Sequence, residues 1–127
     1  MFSITSARYF LYQEPTDMRK SFDGLCGLVT DKLGQNPMSG DLFIFVNKPR
    51  NRIKLLRWEP GGFVLFYKRL EKGTFHLPKP ATENSKKQLL DYSQLVMIIN
   101  GIYLEKAKKY RRFSPQNAVG NFRLNTT

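Results

Sequence analysis

The first third of the chain shows two spacings of hydrophobic residues, one typical of a strand and one typical of a helix. Residues 8–14 (RYFLYQE) favour a β-strand, which Pro15 would end. Thr16 or Asp17 could then cap a helix that runs to about Leu33. The apolar positions of this helix recur at the spacing of one face: Met18, Phe22, Leu25, Cys26, Val29 and Leu33.

Glycines mark the interior and the end of this predicted helix. Gly24 and Gly27 each weaken a helix by about 1 kcal/mol relative to alanine, so we expect close packing around them. Gly34 is suited to end the helix, and residues 34–41 (GQNPMSGD) favour a loop.

Three strands are predicted next. Residues 42–46 (LFIFV) are apolar throughout, which predicts a central strand covered on both faces. Residues 53–59 and 63–70 follow, separated by a Pro-Gly-Gly turn, and such short links favour an antiparallel meander. A short strand at 75–77 is expected to extend it.

The last third combines a polar connector, a helix and a basic segment. Residues 78–87 are polar, and 92–100 predict a helix that buries Leu95, Val96, Ile98 and Ile99. Five of the eight residues 105–112 are basic. We therefore expect an α+β fold: an antiparallel β-meander sheet with an N-terminal strand, one long helix packed on the sheet and a shorter C-terminal helix. Residues 1–113 would form a single domain and 114–127 a loosely ordered tail.

The charge balance points to a polyanionic partner. Twenty-one Lys and Arg against ten Asp and Glu leave a net charge of +11. An excess of this size favours nucleic acid or an anionic membrane surface, although a basic surface kept only for solubility is the alternative. The start of the chain does not resemble a signal peptide, and no apolar run is long enough to cross a bilayer. A cytoplasmic protein without a membrane partner is expected.

The inventory of reactive side chains argues against an enzyme. Cys26 is the only cysteine and is expected in the core, and His76 is the only histidine. A Ser-His-Asp triad or a histidine-rich metal site is thus not expected. No glycine-rich phosphate loop precedes a helix. We expect no catalytic residue, no metal and no cofactor.

The densest basic signal begins at the turn NKPRNR, residues 47–52. Between Asn47 and Lys72, eight cations face only Glu59 and Glu71. Strand alternation puts Lys54 and Trp58 on one sheet face and Arg57 on the other, and it separates Lys68 from Tyr67 and Arg69. The patch is therefore expected at the turn and its rim. The residues predicted to contact nucleic acid are Arg19, Lys20, Lys48, Arg50, Arg52, Lys54, Lys68 and Arg69.

Arg19 and Lys20 fall in the first turn of the predicted helix, where the helix dipole is already positive. Together with the free N–H groups of a helix start, they would form a seat for a phosphate. The alternative is that Asp17 and Asp23 neutralise them in local salt bridges. The sequence leaves both interpretations open.

Three segments carry a resemblance to a known family. TDMRKSFDGL, LFIFVNKPRNRIKLLRWEPGGFVLFYKRLEKGTF and LVMIINGI together resemble the TnpB (Orf2-like) accessory proteins of the insertion-sequence-66 family of bacterial transposable elements. That family is unrelated to the RNA-guided nuclease of the same name. The resemblance spans most of residues 9–113. Two positions depart from the family pattern: Ser21 replaces a common glycine, and Arg57 replaces an apolar or aromatic residue and is therefore expected to be exposed.

The resemblance implies a non-catalytic accessory protein that is required for transposition beside a separate transposase. Combined with the charge pattern, it predicts binding of DNA phosphates, with about six contacts and a log–log salt slope of about −5. The alternative is a module that docks on the transposase without touching DNA. The sequence leaves the oligomeric state open, although a strand edge at 8–14 would be available to pair between chains.

Overall fold

The computed structural model describes residues 7–100 except Ala81 and Glu83. These residues form a five-stranded sheet and two helices, which confirms the expected α+β class. In chain order the elements are β1 (Tyr9–Tyr12), α1 (Phe22–Asp31), β2 (Leu42–Val46), β3 (Arg52–Glu59), β4 (Gly62–Arg69), β5 (Lys87–Leu90) and α2 (Tyr92–Asn100). The predicted tail 114–127 and the basic segment 105–112 lie outside the described residues.

The sheet is mixed, with the strand order β4-β3-β2-β1-β5. β2, β3 and β4 form the predicted antiparallel meander, and all five residues of the central strand β2 are buried. β1 runs parallel to β2, because the chain crosses over through α1 between them. The prediction of an exposed edge at 8–14 was wrong: β1 lies between β2 and β5, and its four residues are buried.

One helix covers each face of the sheet. Leu25 and Val29 of α1 pack with a cluster that includes the stacked rings of Phe10 and Phe43, whose centroids are 5.8 Å apart. On the opposite face α2 contributes Leu95 and Ile98 to a second cluster. Burial of each large apolar side chain contributes about 1.5–3 kcal/mol, so both apolar layers stabilise the sheet.

The start of α1 differs from the prediction. The helix begins at Phe22 with Ser21 as N-cap, not near Thr16. Residues 17–20 form a turn instead, because Oδ1 of Asp17 accepts the backbone N–H of Arg19 at 2.9 Å. The carbonyl of Asp17 also accepts the N–H of Lys20 at 3.1 Å. The predicted end of the helix, about Leu33, is closer to the structure, in which α1 ends at Asp31. Gly34 follows shortly after with a positive φ of 62°.

Two further predictions about strands need correction. Residues 75–77 form no strand, although Phe75 is fully buried and donates its N–H to the carbonyl of Arg50. The polar connector instead leads into a strand that was not predicted, β5, which pairs antiparallel with β1. The sequence KQLL carries little strand propensity of its own, so the pairing with β1 determines its conformation.

Arg57, one of the two positions that depart from the family pattern, was predicted to be exposed. This prediction was wrong, because Arg57 is buried. Its residue exposure is 9 %, and its Nε donates to the carbonyl of Gly40 at 3.0 Å. The position pairs with Leu42 on the α2 face of the sheet, where the side-chain stem can pack while the guanidinium satisfies a loop carbonyl.

Candidate nucleic-acid interface

The turn at residues 47–52, called the basic turn below, is held by the side chain of Asn47. Its Oδ1 accepts the backbone N–H groups of Asn51 and Arg52, both at 3.0 Å, and its Nδ2 donates to Oδ1 of Asn51 at 2.7 Å. The carbonyl of Asn47 accepts the N–H of Arg50 at 3.0 Å. The turn is thus fixed by an asparagine, so its geometry does not require the cations of Lys48 and Arg50.

Arg50 has an unusual backbone conformation for an arginine. Its φ is +59°, the left-handed region in which glycine and asparagine are favoured. For a residue with a side chain this conformation costs on the order of 1 kcal/mol. Arg50 is thus an exposed, strained residue in a turn whose geometry Asn47 already fixes.

The two basic segments singled out in the sequence meet at one depression. Its volume is about 310 Å³, and residues 15–18 form one wall while Asn47, Lys48, Pro49 and Arg52 form the other. The N–H of Thr16 donates to the carbonyl of Val46 at 2.9 Å and holds the walls together. We call this depression the basic groove. Its charged lining residues are Lys48, Arg52 and Asp17, and three further cations lie next to the lining residues in the sequence: Arg19, Lys20 and Arg50.

Arg19 and Lys20 do not form the predicted seat at a helix start, because both precede α1. Arg19 is paired with Asp17, from Nη2 to Oδ2 at 2.6 Å, which is the neutralisation left open by the sequence. The hydrogen bonds from Arg19 lower the pKa of Asp17 to about 2. Lys20 is exposed and does not line the groove.

Lys54 lies inside the molecule, contrary to its predicted contact with nucleic acid. Its exposure is 6 %, and its Nζ donates to the carbonyls of Met18 and Lys20, both at 2.8 Å. The same ammonium sits 4.6 Å from the ring centroid of Tyr67. Lys54 therefore fixes the segment that precedes α1 against the sheet, and its charge is satisfied within the fold.

Lys68 and Arg69 point to opposite faces of β4, as strand alternation predicted. Nζ of Lys68 donates to the carbonyl of Ile99, at the end of α2, at 2.8 Å, and burial lowers the pKa of its ammonium. Lys68 is thus placed away from the basic groove. Arg69 is exposed and pairs with Glu71 at 3.0 Å.

A second depression adjoins the basic groove and contains an aromatic residue that the sequence reasoning did not include among the site residues. Its volume is about 430 Å³, and it is lined by Arg52, Tyr67, Arg69 and Glu71. Arg52 also lines the basic groove, so the two depressions share a wall. We call the second one the tyrosine depression. The signal was present in the alternation of β4, which puts Tyr67 and Arg69 on one face.

The pairing of β3 with β4 brings two arginines together in the tyrosine depression. Arg52 and Arg69 are direct cross-strand partners. Directly opposed like charges destabilise a sheet, by up to about 1 kcal/mol. Glu71 offsets part of this repulsion, and Nη1 of Arg52 donates to the hydroxyl of Tyr67 at 3.3 Å.

Comparison with known proteins identifies the family to which the chain belongs. The family model described as "IS66 Orf2 like protein" matches residues 7–109, which include every residue of both depressions. The chain belongs to this family. The resemblance inferred from the sequence is thereby confirmed, and the IS66 Orf2-like proteins are accessory proteins of an insertion sequence.

Two curated relatives come from Sinorhizobium fredii (strain NBRC 101917 / NGR234). The uncharacterized protein y4jC is 35 % identical over 71 residues, which are 56 % of this chain and 61 % of the relative. The uncharacterized protein y4hO is 36 % identical over 74 residues, or 58 % of this chain and 64 % of the relative. The chain thus spans about three fifths of the length of these relatives. No solved structure matches it.

Two other features of this family member concern metals and membranes. Among residues 7–100 that the structure describes, no three His, Cys, Asp or Glu side chains are grouped so that they could hold a metal ion. Within the same range neither helix has the length and apolar character needed to span a bilayer.

Proposed function

We propose that this IS66 Orf2-like protein binds DNA through the basic groove and the adjoining basic turn, as a non-catalytic accessory factor of its insertion sequence. The contacts would be to phosphates, which position a protein on a duplex without reading its sequence. The transposase of the same element is the natural second partner.

The observation that carries the proposal is Arg50. The basic turn is already fixed by Asn47, and the left-handed backbone of Arg50 would favour a glycine. An arginine at this position costs stability and repels its neighbours Lys48 and Arg52. A bound phosphate would offset both effects, because arginine donates charge-assisted hydrogen bonds to phosphate oxygens.

We assign these contacts to only some of the predicted residues. Lys48 and Arg52 line the basic groove, Arg50 belongs to the basic turn, and Lys20 follows the lining residue Met18 by two positions, while Arg69 lines the tyrosine depression with Arg52. The ammonium groups of Lys54 and Lys68 are bonded to backbone carbonyls, and Arg19 is paired with Asp17. The proposal therefore rests on Lys20, Lys48, Arg50 and Arg52, since Arg69 is paired with Glu71 through its Nε.

Fluorescence anisotropy with labelled duplex DNA tests the proposal. One duplex carries the terminal repeat of the element and the other a scrambled sequence, and both are titrated at several salt concentrations. The test variant is Arg50→Gly, which removes a cation and relieves the backbone strain at the same time. We expect weaker binding and a log–log salt slope shallower by about 0.9, with no loss of folding stability.

The matched control is Lys32→Ser. Lys32 is an exposed cation at the C-cap of α1, and the crossover places that end of the helix at the opposite end of the sheet from the basic groove. This variant removes the same charge and should bind DNA nearly as well as the wild type. An equal loss of DNA affinity in the two variants would show that binding depends only on net charge and would contradict a binding site at the basic turn. Absence of DNA binding by the wild type at low salt would remove DNA as the direct partner.

A second function, docking on the transposase, is favoured by one observation. Val64 and Phe66 lie on the α2 face of β4 and are 41 % and 40 % exposed, so α2 does not cover them. Apolar side chains on the outermost strand of the described sheet favour a protein contact. A pull-down with the cognate transposase, with nuclease added to remove bridging DNA, tests this function. Loss of capture in Val64→Ser/Phe66→Ser, with DNA binding retained, would support it, and capture that survives the change would exclude this surface.

A further inference from the structure

Tyr67 combines exposure with an unusually fixed position. It is 47 % exposed on the α1 face of β4, yet neighbouring side chains contact one face of its ring and its hydroxyl. Lys54, which is buried, lies 4.6 Å from the ring centroid, and Nη1 of Arg52 donates to the hydroxyl at 3.3 Å. Since the buried ammonium occupies the inner side of the ring, the outer side is the one open to solvent.

Two guanidinium groups and one carboxylate surround the open ring face. The tyrosine depression, of about 430 Å³, holds Arg52 and Arg69 beside the ring, and Glu71 pairs with Arg69 at 3.0 Å. An aromatic platform flanked by guanidinium groups offers two interactions at once. The ring can stack on a flat base, and the arginines can bind the phosphates on either side of it.

A base pair within a duplex does not fit this arrangement, because its faces are covered by neighbouring pairs. An unpaired base exposes a face and allows stacking on an aromatic side chain. We propose that the tyrosine depression binds an unpaired nucleotide of a DNA strand, with its base stacked on Tyr67 and its phosphates at Arg52 and Arg69. This inference rests on the proposed function and extends it from duplex backbone to single-stranded or frayed DNA.

The test separates base stacking from phosphate binding. Anisotropy is measured with a labelled strand of twelve thymidines and with an abasic strand of the same length, which carries the same phosphates and no bases. The wild type is expected to prefer the thymidine strand by about five-fold or more. Tyr67→Ala should remove this preference and Tyr67→Phe should keep it, while Arg52→Ala should weaken binding of both strands.

A matched control is Tyr92→Ala, since Tyr92 is another exposed tyrosine, 56 % accessible, at the start of α2. It should keep the preference for bases, and urea denaturation establishes that each variant is folded. Equal affinity of the wild type for both strands, or a preference that survives in Tyr67→Ala, would overturn the inference while duplex binding stands. Failure to bind either strand and the duplex would overturn the proposed function as well.

Discussion

Lys48 and Lys54 lie six positions apart, and the structure gives them opposite roles. Lys48 is exposed at the rim of the basic groove. Lys54 is buried, with two backbone carbonyls as acceptors and the ring of Tyr67 beside it. Hydrogen bonds from a charged donor each contribute about 1.5–3 kcal/mol, so Lys54 serves stability, whereas the exposed Lys48 belongs to the proposed DNA contact.

The same substitution at these two positions should therefore have opposite effects. Lys54→Met keeps the apolar stem but leaves the carbonyls of Met18 and Lys20 without their donor. We expect its free energy of unfolding in urea to fall by about 2–4 kcal/mol. Lys48→Met should change that free energy by less than about 0.5 kcal/mol and weaken DNA binding in anisotropy. A stable Lys54→Met variant with weakened DNA binding would contradict this division of roles.

The sequence could predict the face on which Lys54 lies but not its burial. Alternation along β3 places it correctly beside Tyr67. However, a helix expected from residue 17 onward would have used the carbonyls of Met18 and Lys20 internally. Only the turn made by Asp17 leaves those carbonyls open to accept from Lys54. The hydrogen bond from Lys54 to Met18, 36 residues apart, therefore depends on the turn at Asp17. The spacing of apolar residues does not predict that turn.

At the scale of elements, α1 contains two glycines that the structure distinguishes. A Cβ added at Gly24 would lie 3.1 Å from Cβ and 3.2 Å from Cγ of Lys20, whereas one added at Gly27 meets no atom within 4 Å. The expectation of close packing thus holds at Gly24 and fails at Gly27. Lys20 has limited freedom to move, because its carbonyl holds Lys54.

Replacing each glycine by alanine tests this difference. Gly27→Ala should raise the free energy of unfolding by about 1 kcal/mol, the usual difference in helix propensity. Gly24→Ala should gain less or lose stability, since the added methyl presses on the stem of Lys20. Urea denaturation of both variants gives the comparison. A larger increase in the free energy of unfolding for Gly24→Ala than for Gly27→Ala would contradict this expectation. It would show that Lys20 moves away from the added methyl group at little cost.

The elements that the pattern predicted well are those with a strong apolar signal of their own. β2 and α2 have the bounds expected from the sequence, because LFIFV and the helical face around Leu95 are unambiguous. α1 began late and β5 was missed. The start of α1 depends on a local hydrogen bond, from the N–H of Arg19 to Asp17, that apolar periodicity does not reveal. The conformation of β5 depends on a distant partner, because β1 pairs with Gln88 and Leu90.

At the scale of the whole molecule, stability depends on pH through Asp41. This nearly buried carboxylate accepts from Nη2 of Arg8 at 2.8 Å and from the backbone N–H of the same residue at 3.1 Å. Burial by itself would raise the pKa of Asp41, but the hydrogen bonds from Arg8 and Ser39 outweigh it and lower the pKa. The pair joins the start of β1 to the loop before β2.

A lowered pKa in the folded state fixes the sign of the effect. The contribution of Asp41 is present above its unfolded pKa, near 3.9, and is lost as the pH falls through the lower folded value. Asp41→Asn should reduce the free energy of unfolding at pH 7 by about 1–3 kcal/mol, and the gap to the wild type should narrow below about pH 4.

Urea denaturation at pH 7, 4 and 3 measures this gap. Asp31→Asn is the control, because Asp31 is an exposed carboxylate in the last turn of α1, where its removal is mildly favourable to the helix dipole. A gap between Asp41→Asn and the wild type that stays constant down to pH 3 would contradict the role given to Asp41.

The position of β1 has a consequence for how the protein is made. β1 pairs with β5, which lies far from it in the sequence. The side-chain hydrogen bond from Gln13, the residue after β1, to Gln88 spans 75 residues. During synthesis on the ribosome, domains fold as their partners emerge. Until Lys87–Leu90 has emerged, the buried strand β1 keeps an unpaired edge, which favours aggregation or chaperone binding. A chain that ends before β5 would thus be a target for proteolysis, and only a chain that includes β5 would complete the sheet.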